Sequence, residues 1–183
     1  MPTAKKKTLP GDIKHDDFVH EVIRVDHAGE YGAKMIYAGQ MCVLKNSDAY
    51  KTIEHMAQQE EEHLEYFSNQ IVERRVRPTA MMPIWHVGAF AMGAVTALMG
   101  EKAAMACTEA VEDVIEKHYQ EQLDNLSSEE KELKQKIKQF RDEEIEHRDI
   151  GIANDSQQAP AYKLLKGAIG TMTKMAIEIS KKV

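Results

Sequence analysis

The sequence predicts an all-α fold, a four-helix bundle built from two helical hairpins with one further helix at the C-terminus. Three observations carry this. Charged residues make up 30% of the chain and aromatics only 6%, with 10 Gly and 5 Pro in 183 residues. Apolar residues recur at alternating three- and four-residue steps over long stretches, and no run alternates Val, Ile and Thr as a half-buried strand would. The breaks are few and marked by turn residues. One domain of this length can enclose a sizeable core.

The elements follow in order. A first helix is expected from Asp16 to Leu44, capped by Asp16 or Asp17. "KNSD" turns the chain, and a second helix runs from Asp48 to Val76. "RPTAMMP" interrupts it, because Pro78 and Pro83 disfavour continuation. A third helix is predicted over Ile84 to Leu123. Ser127 and Glu130 have capping-box spacing and open a fourth, ending near Ile150. "GIANDSQQAP" is a loop, and Pro160 suits the first position of a fifth helix that reaches the C-terminus. Residues 1–15 read as a flexible tail and 16–183 as one bundle domain.

Each helix has a seam that turns acidic near its middle. Helix one gives Val19, Ile23, Asp26, Glu30, Ala33 and Tyr37. Helix two gives Ile53, Met56, Glu60, His63, Phe67 and Ile71. The third gives Met105, Thr108, Glu112, Ile115, Tyr119 and Leu123, and the fourth Leu133, Ile137, Phe140, Glu144, His147 and Gly151. The polar order is Glu, Glu-x-x-His, Glu, Glu-x-x-His. Glu30 precedes Glu60 by 30 residues and Glu112 precedes Glu144 by 32, so the chain contains a diverged repeat of two hairpins.

Residues three apart share a helix face, so Glu60 with His63, and Glu144 with His147, can address one object. Four carboxylates buried together need compensating charge. Two divalent cations supply it, with Glu60 and Glu144 bridging, Glu30 and Glu112 at the ends, and each histidine adding a nitrogen. Carboxylate-rich sites with two histidines suit iron or manganese better than structural zinc. Against this stands the reading of solvated acidic faces and satisfied core histidines. It is opposed by the position of both motifs on apolar seams and by their matched spacings.

Other polar residues have lesser claims. His27 lies three before Glu30, where the matching position of helix three is Glu109, and it reads as surface or as a neighbour of the site. Asp26 is placed to orient a ligand histidine. Tyr119, two turns after Glu112, is either core or a redox or proton participant. His118 lies at the surface or near the site. Gly29 and Gly32 suggest close helix contact or substrate approach. Cys42 and Cys107, in no CxxC pattern, read as buried small apolar residues in a reducing compartment.

The formal charge of −6 argues against a nucleic-acid binder. The N-terminus has Lys5–Lys7 but no apolar stretch after them, so it is not a secretory signal. Residues 78–100 contain no Asp, Glu, Lys or Arg. That is long enough to span a bilayer, but a crossing would separate Glu30, Glu60 and His63 from Glu112, Glu144 and His147. The segment is therefore expected to lie in a membrane interface or to line an apolar channel, with Trp85 at the interface and Arg74, Arg75 and Arg77 beside anionic head groups. The amphipathic stretch 160–183 can do likewise.

"RVDHAGEYGAKMIYAGQM", "QQEEEHLEYF", "RVRPTAMMPIWHVGAFAMGAVTALMGEKAAMACTEAVEDVIEKHY", "FRDEEIEHRDIG" and "APAYKLLK" closely resemble the demethoxyubiquinone hydroxylase family of ubiquinone biosynthesis, from about Val22 to the C-terminus. The resemblance implies a ferritin-like bundle with two iron ions held by Glu30, Glu60, His63, Glu112, Glu144 and His147, with Glu60 and Glu144 bridging. It implies a monooxygenase that uses O2 to hydroxylate the ring of a polyprenyl methoxy-methyl-benzoquinol, with NADH as the ultimate electron donor. No dinucleotide fingerprint is present. It further implies peripheral association with an inner membrane, on the cytoplasmic side in bacteria or the matrix side in a trimmed mitochondrial form. Self-association or contact with other quinone-biosynthesis proteins would accompany it. Three rival readings remain: a related di-iron oxidase of a soluble substrate, an iron-storage bundle, and a metal-free membrane adaptor.

Overall fold

The computed structural model describes residues 15–183 and is helical, with no strand among them. Helices α1 (His15–Val43) and α2 (Tyr50–Glu73) form the first hairpin, and α4 (Glu101–Asn125) and α5 (Lys131–Ala153) form the second. α3 (Met82–Leu98) lies along α1, and α6 (Tyr162–Ser180) lies along α4. A short 3-10 turn, Ser156–Gln158, precedes α6. The tail and its Lys5–Lys7 run lie outside the described residues, apart from His15, which is already helical. Asp17 therefore sits inside α1 rather than capping it.

The connections explain where the helices stop. Ser47 Oγ accepts the Ala49 N–H at 3.0 Å and donates to Glu101 Oε1 at 2.6 Å, so the first turn is tied to the start of α4. Thr79 Oγ1 accepts the Met81 N–H at 3.2 Å before Pro83 enters the first turn of α3. The single helix expected over Ile84 to Leu123 is two helices. Gly100 breaks it at φ 111°, a conformation open to glycine alone at little cost. The break lets α3 fold back onto α1 while α4 enters the bundle.

Two caps differ from the sequence reading. Ser127 Oγ accepts the Glu129 N–H, and Glu130 pairs with Arg74 at 2.8 Å, so no reciprocal capping box forms at α5. α6 begins at Tyr162 after Ala161 at φ 54°, two residues beyond Pro160. Cys107 is buried as expected, whereas Cys42 is exposed, because it lies off the seam in the last turn of α1.

The core is layered along the bundle axis. Val19, Ile23, Phe67, Leu133, Ile137 and Phe140 pack one end. Leu44, Ile53, Met56, Ala97, Ala104 and Met105 pack the other. Each fully buried large side chain stabilises by about 1.5–3 kcal/mol. Between these two apolar plugs lies the polar layer. All but three of the seam residues named above are buried, Ile71, Ile115 and Leu123 being half-buried.

α6 is anchored by a residue that the periodicity does not single out. Glu109, buried on α4, accepts from Tyr162 Oη and Lys166 Nζ at 2.6 Å each, and from Ser156 Oγ. Lys166 also pairs with Asp113 at 2.6 Å. Burial alone would raise the Glu109 pKa, but these donors hold it below its ordinary value.

Glycine also sets the approach of α3 to α1. A Cβ on Gly93 would meet the Ile36 carbonyl, and one on Gly39 would meet the Phe90 carbonyl. By contrast, a Cβ on Gly29 or Gly32 would meet nothing within 4 Å, so close helix contact is not their purpose. Gly93→Ala is expected to cost about 1–3 kcal/mol by overpacking. Gly29→Ala is expected to be neutral or stabilising by roughly 0.5–1 kcal/mol. Thermal unfolding of the two variants checks this, and equal losses at both sites would refute it.

Candidate metal centre

The polar layer draws one segment from each bundle helix. α1 brings Glu30, α2 brings Glu60 and His63, α4 brings Glu112, and α5 brings Glu144 and His147. All six are at most 3% exposed. They form two overlapping groups whose ligand atoms lie within 4.8 Å of one another. One is Glu30, Glu60, His63 and Glu144, and the other is Glu60, Glu112, Glu144 and His147. Glu60 and Glu144 belong to both, the position that bridging ligands occupy. The structure thus brings together all six residues that the seams nominate.

Both imidazoles present Nδ1 to the carboxylates. His63 Nδ1 lies 3.3 Å from Glu30 Oε2 and 3.2 Å from Glu144 Oε1, with neither contact aligned as a hydrogen bond. His147 Nδ1 lies 3.1 Å from Glu60 Oε1 and 3.1 Å from Glu144 Oε2. Each Nε2 points away and is held from behind. His63 Nε2 donates to Glu143 Oε2 at 2.5 Å, and His147 Nε2 donates to Gln59 Oε1 at 3.0 Å.

The end carboxylates are held by two buried tyrosines in crossed fashion. Tyr37 of α1 donates to Glu112 Oε1 of α4 at 3.1 Å, and Tyr119 of α4 donates to Glu30 Oε1 of α1. Each tyrosine lies seven residues after the glutamate of its own helix, so the internal repeat extends to Glu-x6-Tyr. Three residues further, Gln40 and Gln122 are also buried and matched. Tyr119 is therefore buried in the core and bonded to a carboxylate of the site. Tyr37 was placed on a seam by its spacing but its contact with Glu112 depends on how the hairpins cross, which no local pattern encodes. Gln59 and Glu143 were missed, although each immediately precedes the glutamate of a Glu-x-x-His pair.

Asp26 does not orient a ligand histidine. It accepts from Gln122 Nε2 at 2.6 Å and lies 3.9 Å from His118 Nε2. Burial raises its pKa well above the ordinary value despite the Gln122 bond. His118 is mostly buried with Gln122 in this cluster, and burial pushes it down to about 4. His27 is half-buried, with Nδ1 unpartnered, and belongs to neither carboxylate group.

Without a cation the layer is electrostatically unfavourable. Burial, then the charges of Glu144 and Glu30, push the Glu60 pKa well up. Burial, then Glu144 and Glu60, do the same to Glu112. Burial would depress His63, but Glu144 and Glu30 override it and push it up to about 12. Both Glu60 oxygens, Glu112 Oε2 and His63 Nδ1 have no hydrogen-bond partner. Orphaned buried acceptors aimed at a common point are costly unless something positive occupies it. Two divalent cations fit: they neutralise four carboxylates, and by displacing the protons at the two Nδ1 atoms they meet an oxygen-rich, imidazole-containing donor set.

A second feature adjoins this layer. A cavity of about 340 Å³ lies between α1, α3, α4 and α6, lined by Ala28, Gly29, Gly32, Ile36, Trp85, Met92, Val111, Ile115 and Ala176 among others. Its walls include immediate chain neighbours of Glu30 and Glu112. Ile84, Met172 and Met175 line it and are 50–58% exposed, so it reaches the surface between α3 and α6. The bare glycines of α1 face this space. The charge-free segment thus lines an apolar cavity, one of its two expected roles. Trp85 is half-buried there, its Nε1 donating to Ser180 Oγ at 3.1 Å. No helix among the described residues is long and apolar enough to cross a membrane.

Metal-free protein is expected to gain stability from Glu60→Gln. The gap should widen as pH rises, because the wild-type proton that relieves repulsion is lost as pH climbs through the raised Glu60 value. Saturating ferrous iron or cobalt(II), at a hundredfold excess over Kd, should raise the wild-type Tm by on the order of 5–10 °C. The variant should show little of that rise. Calorimetric scans with and without metal decide this, and an equal metal response in both proteins would remove Glu60 from the ligand set.

The comparisons with known proteins identify the family. The family described as "Ubiquinone biosynthesis protein COQ7" matches residues 17–180. The chain is 51% identical over 176 residues to a 3-demethoxyubiquinol 3-hydroxylase of Rhodospirillum rubrum, covering 96% of this chain and 83% of that one. It is 50% identical over 169 residues to the mitochondrial NADPH-dependent 3-demethoxyubiquinone 3-hydroxylase of Homo sapiens, covering 90% and 78%. It is 44% identical over 183 residues to the mitochondrial 5-demethoxyubiquinone hydroxylase of Saccharomyces cerevisiae, covering 91% and 78%.

Proposed function

The chain belongs to the ubiquinone biosynthesis protein COQ7 family, and from that premise we propose that it is a di-iron monooxygenase hydroxylating the ring of a polyprenyl demethoxyubiquinol. The observation that carries the reading is the adjacency of two unlike features. A buried layer of four carboxylates and two imidazoles lies beside an apolar cavity open to the surface. A redox metal site alone fits many oxidases. An apolar cavity alone fits many lipid binders. Together they fit oxidation of a molecule that is mostly hydrocarbon.

Glu30, Glu60, His63, Glu112, Glu144 and His147 would hold two irons, which when bound supply the chemistry that activates O2. The chain's own side chains do the rest. Tyr37 and Tyr119 hold one oxygen of each end carboxylate and leave the other turned inward. Glu143 and Gln59 keep the Nε2 protons of the histidines outward, so that Nδ1 is free to ligate. The walls of the cavity bind the substrate's apolar part and exclude water from the reacting ring. Hydroxylation consumes one O2, two electrons and two protons, and yields the new ring hydroxyl and one water. The mitochondrial relative of Homo sapiens is named as NADPH-dependent, so both NADH and NADPH belong in the assay.

Such a substrate is dissolved in a membrane, and the surface between α3 and α6 suits a bilayer. Val87, Val95, Leu98, Leu164, Met172 and Met175 are 50–75% exposed there. Arg75 and Arg77 are exposed nearby for anionic head groups, whereas Arg74 is committed to Glu130. This supports peripheral attachment to an inner membrane, cytoplasmic or matrix side according to the cell, and contact there with other quinone-biosynthesis proteins or a second copy.

The test loads the protein anaerobically with ferrous iron, adds a short-tailed demethoxyquinone and either reductant, and admits O2. Mass spectrometry should find product heavier by one oxygen atom, and none in Glu60→Gln. Gly29→Leu should keep two irons per chain but lose at least tenfold in turnover of the quinone, because its side chain occupies the cavity. Full turnover in that variant would sink the substrate route, and absence of product at full iron loading would sink the hydroxylase.

A further inference from the structure

The two halves of the metal layer are related by the repeat, and at one pair of positions the relation is broken. Residue 59 precedes Glu60, and residue 143 precedes Glu144. Each reaches across to the histidine of the opposite hairpin. Gln59 accepts from His147 Nε2 at 3.0 Å, and Glu143 accepts from His63 Nε2 at 2.5 Å. Elsewhere the halves match in kind: Glu30 with Glu112, Tyr37 with Tyr119, Gln40 with Gln122. At this position one half has a neutral amide and the other a carboxylate.

That difference acts on the ring nitrogen that would bind metal. A hydrogen bond from Nε2–H to a carboxylate shifts electron density toward Nδ1 and makes it a stronger donor; a bond to an amide oxygen does so far less. Glu143 itself is secured by Gln139 Nε2, which donates to its Oε1 at 3.0 Å, so its other oxygen is left for the histidine. It is 27% exposed, which gives the charge some solvation at a buried imidazole 1% exposed. The amide of Gln59 must present its oxygen, because an Nδ1 free to ligate requires the proton on Nε2.

We propose that the residue pair Glu143 and Gln59 makes the two metal positions unequal, so that the position served by His63 and Glu30 binds a divalent cation first and more tightly than the position served by His147 and Glu112. The two residues are positioning residues for the metals. They act through the imidazoles and touch no metal or substrate themselves. The inference rests on the metal-centre reading above. It adds an order of filling and names the side chains that set it.

Calorimetric titration of the metal-free full-length chain with cobalt(II), followed also by its visible absorption, tests this without turnover. Wild type should bind two equivalents in two resolved steps. Glu143→Gln should weaken the tighter step by roughly ten- to hundredfold and merge the two. Gln59→Glu should strengthen the weaker step and merge them at the tight end. A gain of affinity cannot come from structural damage, so Gln59→Glu decides the matter even where Glu143→Gln folds poorly. The double exchange should restore two steps. Two bound cobalt ions with affinities unmoved by both single changes would overturn the inference and leave the metal centre standing. No bound cobalt in wild type would overturn both.

Discussion

Four carboxylates share one water-poor layer inside a helical bundle, and the rest of the molecule is arranged around that fact. Isolated burial of one ionised carboxylate costs several kcal/mol after relaxation. Glu30, Glu60, Glu112 and Glu144 are each at most 3% exposed and face one another. A bundle tolerates this only with apolar packing above and below the layer and something positive within it. The Phe67–Phe140 end and the Ile53–Met105 end supply the packing. Metal-free, the raised pKa values of Glu60 and His63 show protons taking the cation's place. A proton on an imidazole is a poor substitute, because it leaves both Glu60 oxygens without a hydrogen bond.

The same constraint explains which parts of the structure could be read from the chain. A residue that must sit on a seam and yet be charged contradicts its surroundings, and the contradiction is visible one residue at a time. Glu60 and His63 interrupt Ile53, Met56, Phe67 and Ile71 at the correct phase, so α2 and its share of the site are legible from spacing alone. The same holds for α5. Residues that act across helices carry no such mark. Tyr37 looks like any core tyrosine until α4 is placed opposite it. Gln59 and Glu143 sit among charged neighbours, and only the crossing of the hairpins brings each to a histidine 88 or 80 residues away. Asp26 was misjudged for the converse reason: being one turn from Glu30 places it on the right face but too far along the axis, where Gln122 takes it.

The largest departure of the fold from its apolar periodicity lies at a glycine. Apolar periodicity continues from α3 through α4, so Ile84 to Leu123 reads as one helix. Gly100 at φ 111° divides it. The division matters for function. An unbroken helix would carry the charge-free segment away from the bundle end, whereas the break returns it along α1. There Gly93 and Gly39 allow contact at one end, and Gly29, Gly32 and Gly88 leave space at the other. Glycine thus makes both the tight crossing and the cavity, by two opposite consequences of lacking a Cβ.

The cavity and the metal layer are therefore two faces of the same pair of helices. α1 and α4 turn their glutamates inward and their small residues outward, with Gly29 beside Glu30 and Val111 beside Glu112. α6 closes the cavity without contributing to the metal layer. It is held to α4 by Glu109, whose three donors all come from the 3-10 turn or α6. Glu109 stands three residues before Glu112, the place that His27 holds relative to Glu30. One helix position has thus diverged between the two halves of the repeat, and in the second half it serves the added helix. The two halves thus keep the same carboxylates, imidazoles and tyrosines around the metals, and they have diverged at the residues behind them: Gln59 against Glu143 behind the imidazoles, and His27 against Glu109, which holds the added helix.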